Sequence, residues 1–312
     1  MTHTDDSYAY MLLTLRLKKY TEEYEMPLSC AEADRLLGRL HAEMGMAPDG
    51  LRQMSFYEMQ HAFEMTIDEA YRIKSLLDRE NLLMFELDRC MENGIEVVTP
   101  YNEEYPERLK RSYGRYGAPA LFVCGSLFLL NAINVGILGI PGIKTPEAVK
   151  QGLEQLIPPL AGHSAAVITG GELGANRLAR QIALNSGALL TTVHTGGMAK
   201  YAREHYKNAE DCRELVLSQL NPFFEENNSL ISERNRLIYV LSDAAFLATA
   251  LGKPNELPTK YRPYLYAFNT PENRVFAEKG YTLVSDNINT AWIESKLALW
   301  KQSDSAQLSI FD

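Results

Sequence analysis

Two guanidiniums flank an amide in Arg234-Asn235-Arg236, at the head of an apolar run that continues Leu237-Ile238. Arginine presents planar forks of N–H donors that match phosphate or carboxylate bidentately. The block therefore reads as a pair of anion-reading groups, although the same pair would serve equally to hold Glu233 or Asp243 in a structural ion-pair network. Upstream, Thr169-Gly170-Gly171-Glu172-Leu173-Gly174 places three glycines in five positions ahead of a helical segment, with Asn176 and Arg177 in its first turn. Glycines leave backbone N–H groups unobstructed, and a helix N-terminus favours negative charge, so a glycine loop running into a helix is a natural phosphate cradle. An arginine in that first turn opposes the helix dipole unless an anion sits nearby; the plain alternative is an exposed surface residue. A second loop, Gly139-Ile140-Pro141-Gly142 followed by Lys144, follows an apolar run in the same way. Its glycines serve either a tight turn or close backbone approach to phosphate.

Other chemistries find little support. The first loop is neither a dinucleotide-binding GxGxxG nor a GxxxxGK[ST] loop, so a nucleotide cofactor is not expected. No HExxH, Ser/His/Asp set or catalytic carboxylate pair is present, and Glu225-Glu226 reads as a solvated loop. His194, just past a strand, reads as a packed or hydrogen-bonded residue. The four cysteines (Cys30, Cys90, Cys124, Cys212) are widely spaced and form no CxxC, which suits reduced, buried thiols and no metal.

Apolar runs near 134–140, 165–169, 188–193, 244–250, 262–268 and 281–284 alternate with helical patterns near 146–160, 174–186 and 230–242. Apolar strands alternating with helices imply an α/β, extended Rossmann-like, mostly parallel sheet covered on both faces. Ligands of such sheets bind beyond the strands' carboxyl ends, where the glycine loops fall. Residues 1–90 carry helical spacing throughout and predict a small helical domain, residues 91–290 the sheet domain, and residues 291–312 a last amphipathic helix (Ile293, Leu297, Trp300) and a polar tail.

The chain has 312 residues, 46% hydrophobic and 23% charged, with a net charge of −9. That balance argues against coating duplex DNA by bulk electrostatics but leaves room for a local basic groove. No apolar run reaches the roughly 18–20 residues of a membrane helix, and residues 1–10 lack a basic signal-like start, so a cytoplasmic protein without membrane contact is expected.

The order Tyr105-Pro106-x-x-Leu109, Pro119-x-Leu-Phe-x-x-Gly125, a strand ending at Gly139, Thr169-Gly-Gly-x-x-Gly-x-Asn-x-x-Ala179, and Arg234-Asn-Arg-Leu-Ile-x-x-Leu-Ser242 resembles the DNA-processing protein A (DprA/Smf) family over about residues 90–290. The resemblance implies an extended Rossmann-like fold, a homodimer, and a single-stranded DNA pocket at the sheet edge lined by Gly139, Thr169, Gly170, Gly174, Arg234 and Asn235. It further implies delivery of the strand to a RecA-type recombinase and no enzymatic activity in the usual sense. The chain departs from the family pattern where Gly139-Ile140-Pro141 replaces Gly-Ser-Arg and Asn176 replaces an aspartate. Lys144 is placed to substitute for the missing arginine. The helix expected after Ala250 is missing or shortened to Gly252–Thr259.

The tail Gln307-Leu308-Ser309-Ile310-Phe311 resembles the pentapeptide that docks on the β sliding clamp. A glutamine amide and three apolar side chains on a polar tail suit a small polar-and-apolar pocket; the alternative is that Ile310 and Phe311 pack back on the domain. The expected protein is a DprA-like single-stranded DNA-binding mediator of DNA processing, recombination or defence. A Rossmann-like nucleotide-binding sensor or nucleotide hydrolase is the alternative, and an adaptor whose main partner is the clamp is a third.

Overall fold

The computed structural model describes residues 3–17, 26–111, 118–140, 142–171, 173–205, 213–225, 228–249, 263–285 and 288–301. Pro141, Gly114, Gly117, Cys212, Glu226, Gly252–Thr259 and the tail motif Gln307–Phe311 lie outside the described residues. The chain divides into two compact units, one of residues 1–124, 196–208 and 218–226, the other of residues 125–195, 209–217 and 227–312.

The first unit opens with six helices: α1 (Asp5–Thr14), α2 (Cys30–Met44), α3 (Gly50–Gln53), α4 (Phe56–Ala62), α5 (Ile67–Leu77) and α6 (Glu80–Glu92). Local sequence sets their starts. Ser29/Glu32, Ser55/Glu58 and Thr66/Glu69 each form a reciprocal capping box at the heads of α2, α4 and α5, which satisfies two orphan backbone donors per helix. Helical spacing then buries Ala33, Leu36, Leu37 and Leu40 of α2 and Ala70, Ile73, Leu76 and Leu77 of α5. A short antiparallel pair follows, β1 (Glu96–Val98) with β2 (Leu121–Gly125), with α7 (Glu107–Arg111) between them.

The second unit is the parallel sheet. Its strands are β3 (Ile133–Leu138), β4 (Ala165–Thr169), β5 (Leu189–Val193), β6 (Glu214–Ser218), β7 (Ala244–Leu247), β8 (Tyr264–Phe268) and β9 (Thr282–Val284), in spatial order β6-β5-β4-β3-β7-β8-β9. The paired strands run parallel from β3/β4 to β8/β9. The helices are α8 (Glu147–Leu156), α9 (Gly174–Ser186), α11 (Ile231–Leu241) and α12 (Thr290–Lys301), while α10 (Met198–His205) belongs to the first unit. Successive residues of β3 point to opposite faces. Val135 and Ile137 join the core shared with α8, α9 and α12, whereas a Cβ on Gly136 would meet Ser242 and Ile238 of α11. Helices thus cover both faces of a mostly parallel sheet, as the alternating pattern predicts. The expected apolar stripe of the last helix is the buried set Ile293, Leu297 and Trp300. Trp300 meets Phe246 and Tyr266 edge-on at 6.1 and 6.0 Å and donates its indole N–H to the Tyr266 hydroxyl at 3.3 Å.

Among the elements that escaped the sequence pattern are α7, a short helix after Tyr105-Pro106, β6, a five-residue strand, and α10, a short helix after Gly196-Gly197. Among the described residues no helix is long and apolar enough to cross a membrane.

Candidate nucleic-acid interface

The strand order places the crevice. The chain steps from β3 to β4, β5 and β6 on one side, then returns to lay β7 against the other side of β3. The loops after β3 and β7 therefore part at a topological switch point, where open α/β sheets bind ligands. There the Ile140 amide donates to the Thr249 hydroxyl at 2.9 Å, and the Asn176 amide donates to the Gly139 carbonyl at 3.3 Å. A Cβ on Gly139 would lie 3.3 Å from Asn176 Oδ1 and Thr249 Oγ1 and 3.4 Å from Ala175 Cβ. The first loop is thus fastened to the head of α9 and to the end of β7.

The second loop meets the first. Gly174 opens α9 at φ +61°, a conformation that L side chains rarely adopt, and a Cβ there would lie 3.1 Å from the Ile143 carbonyl oxygen. Four residues earlier, a Cβ on Gly170 would fall 2.5 Å from the Arg234 guanidinium carbon. Only glycine lets the guanidinium rest against that backbone. Arg234 is 2% exposed, and its Nε and Nη2 donate to Asn235 Oδ1 at 3.3 and 3.1 Å. Asn235, the amide between the two arginines, acts as the bracket that sets the plane of Arg234.

Helix starts at this edge share a feature. The N-cap positions of α8 and α9 are Pro146 and Leu173, and neither makes a side-chain cap hydrogen bond, while α11 continues directly from a 3-10 turn at Asn228–Leu230. The first-turn N–H groups of α8 and α9 retain the partial positive charge of an uncapped helix start. Three side-chain oxygens are buried near these starts without a hydrogen-bond partner among the described residues: Thr169 Oγ1, Asn176 Oδ1 and, in the first turn of α11, Glu233 Oε2.

The sequence-predicted residues divide into two sets. Gly139, Thr169, Gly170, Gly174, Asn176, Arg234 and Asn235 are gathered at the strand ends with Gly171, whose φ is +81° and whose Cβ position faces Thr192 and Arg180. Gly142, Lys144 and Arg177 are exposed on the loop and on the first turn of α9, and Arg236 is half-buried on α11. Among the described residues neither Lys144 nor Arg177 takes part in an ion pair. Thr249 is the participant that sequence reasoning missed; it lies 109 positions from Ile140, and only the sheet order joins them. His194 is buried, and its amide donates to the Leu217 carbonyl at 2.9 Å.

Charge is unevenly spread. Residues 1–124 hold 14 Lys and Arg against 22 Asp and Glu, and residues 125–312 hold 17 against 18. Nearly all of the net −9 therefore lies outside the segment that carries the site, so the overall charge says little about the local field.

The family model for DNA recombination-mediator protein A matches residues 96–257, and the chain belongs to that family. No curated protein sequence matches it. Among solved structures, the chain is similar to the X-ray structure of DNA processing protein A from Streptococcus pneumoniae, with a TM-score of 0.61 and 17% identity over 91% of this chain and 96% of that one. It is also similar to DNA processing protein A from Helicobacter pylori, whose structure is described as giving insight into a unique single-stranded DNA binding mode. That match has a TM-score of 0.50 and 21% identity over 66% of this chain and 98% of that one. At these identities the likeness to the two structures is one of fold.

Proposed function

We propose that this member of the DNA recombination-mediator protein A family binds single-stranded DNA along the carboxyl edge of its parallel sheet, as a non-catalytic mediator of DNA processing, recombination or defence. The observation that carries the reading is the Arg234 guanidinium seated on the Gly170 backbone, 2.5 Å from where a Cβ would be, and bracketed by Asn235. A buried cation beside the two uncapped starts of α8 and α9 makes a field that suits a chain of phosphates. Lys144, Arg177 and Arg236 supply the outer cations, and Lys144 takes the part of the arginine that Pro141 displaces. The Helicobacter pylori relative, described by its single-strand binding mode, supports the same ligand class.

The finer reading has three parts. Gln307-Leu308-Ser309-Ile310-Phe311 docks on the β sliding clamp and brings the protein to replication or repair sites. The bound strand passes to a RecA-type recombinase. The working form is a homodimer. Thermal shift with oligonucleotides and with free mononucleotides tests the ligand class: stabilisation by oligonucleotides is expected, and stabilisation by a mononucleotide alone would make the protein a nucleotide sensor instead. Deleting residues 307–312 is expected to abolish retention on immobilised clamp; unchanged retention would remove the docking claim.

A further inference from the structure

Each strand-end loop exposes one large aliphatic side chain. Ile143 of the first loop is 44% exposed, and Leu173, which precedes α9, is 50% exposed. The two stretches adjoin, since the Ile143 carbonyl oxygen lies 3.1 Å from the Cβ position of Gly174. A phosphate cradle gives no reason for either: an aliphatic surface contributes nothing to an anion and loses by facing water. Both have an exposed cation on the same stretch. Lys144 follows Ile143, and Arg177 lies one helical turn beyond Leu173. The edge therefore offers apolar surface and positive charge side by side, twice.

We propose that Ile143 and Leu173 form an apolar platform for unpaired nucleobases of the strand whose phosphates lie on the cradle. The inference rests on the single-strand reading above and adds its source of selectivity. A duplex presents phosphates but keeps its base faces stacked inside, so it engages the cations and not the platform. An unpaired strand presents both, and contact of base faces with side chains is tolerant of sequence. The platform thus favours single strands of any sequence over duplex.

The test uses the full-length protein and two labelled strands of equal length, oligo-dT and an abasic strand of the same backbone, titrated by fluorescence anisotropy at two salt concentrations. Wild type is expected to prefer oligo-dT by about tenfold, roughly 1.4 kcal/mol. The double variant Ile143→Ser/Leu173→Ser is expected to bind both strands alike, at the abasic level and with an unchanged salt slope. Leu173→Phe is expected to keep the preference, and thermal melting confirms that each variant is folded. Equal wild-type affinity for the two strands, or a preference that survives in the double variant, overturns the platform while leaving the cradle standing. Failure of wild type to bind either strand at low salt overturns the single-strand reading and the platform with it.

Discussion

Helices α1, α2, α4 and α5 of the first unit start under side-chain caps from Thr4, Ser29, Ser55 and Thr66, while α3 and α6 start at Asp49 and Arg79 without one; α8 and α9 of the sheet unit start at Pro146 and Leu173, also without one. Four helices of the first unit close their own N-termini with a hydroxyl, three of them together with a carboxylate. The helices α8 and α9 at the switch point leave that end open, where negative charge is favoured. The sheet unit does cap α12, where the Trp292 amide donates to Asn289 Oδ1 at 2.9 Å. Open starts are thus not general to the sheet unit, and at the strand-end crevice they lie beside the glycine loops.

The sharpest way to break this contrast is Gly170→Ala. Its methyl group would enter the space of the Arg234 guanidinium, at 2.5 Å, and overpacking of this kind costs about 1–3 kcal/mol. Single-strand affinity should fall by well over tenfold. Gly136→Ala is the control: its Cβ would fall 2.2 Å from Ser242 Oγ on the α11 face, so it should lower the melting temperature and spare the affinity of the folded fraction. Comparable reductions of affinity in both would show that Gly170 matters only for packing.

Arg234→Ala comes next, with about a tenfold drop in oligonucleotide affinity, in line with removal of a charged donor. Arg234→Lys should not restore it, because one ammonium cannot reproduce the Nε and Nη2 bonds to Asn235 Oδ1. Full recovery in the lysine variant would mean that charge alone suffices and that the bracket is incidental.

The caps of the first unit predict the opposite pairing of effects. Ser55→Ala and Thr66→Ala should each cost about 1 kcal/mol in urea melts and leave oligonucleotide binding untouched. Weaker binding in either variant would connect the helical unit to the ligand.

The smallest effect is the acid dependence of those boxes. Burial alone would raise the Glu32 carboxyl, but hydrogen bonds from Ser29 and Arg72 hold it below the usual 4.5. Hydrogen bonds from Ser55 and Thr66 likewise lower Glu58 and Glu69. Groups whose folded pKa is depressed contribute stability that is present above the unfolded value and lost as the pH falls through the folded one. Lowering the pH below 4.5 should therefore reduce hydrogen-exchange protection at the heads of α2, α4 and α5, with no matching change at the heads of α8 and α9. An equal change at both sets of heads would show that the boxes are energetically idle.

Much of this architecture was legible because parallel strands buried on both faces must be apolar throughout. Val135, Ile137, Ala165–Thr169 and Ala244–Leu247 announce themselves that way, and the first unit announces itself through helical spacing and its capping residues. The glycine loops and Arg234-Asn235-Arg236 were legible as chemistry. Their assembly was not. That Arg234 lies under Gly170 and is 2% exposed, and that Thr249 fastens Ile140, follow from β7 returning beside β3, a pairing that no local pattern encodes. β6 escaped because its run is opened by Glu214 and no glycine turn or helical pattern marked its ends. The open starts of α8 and α9 could be read only as an absence of Ser, Thr, Asp or Asn at Pro146 and Leu173.

The claim that these starts and their cations form a single-strand cradle meets its most direct test in the salt dependence of oligo-dT binding by wild type and by the double variant Lys144→Ala/Arg177→Ala. Log affinity should fall linearly with log salt for wild type. In the double variant the slope should become shallower by about 0.7 for each phosphate no longer neutralised, about 1.4 for the pair. No wild-type binding at the lowest salt, or identical slopes for the two proteins, would contradict the account.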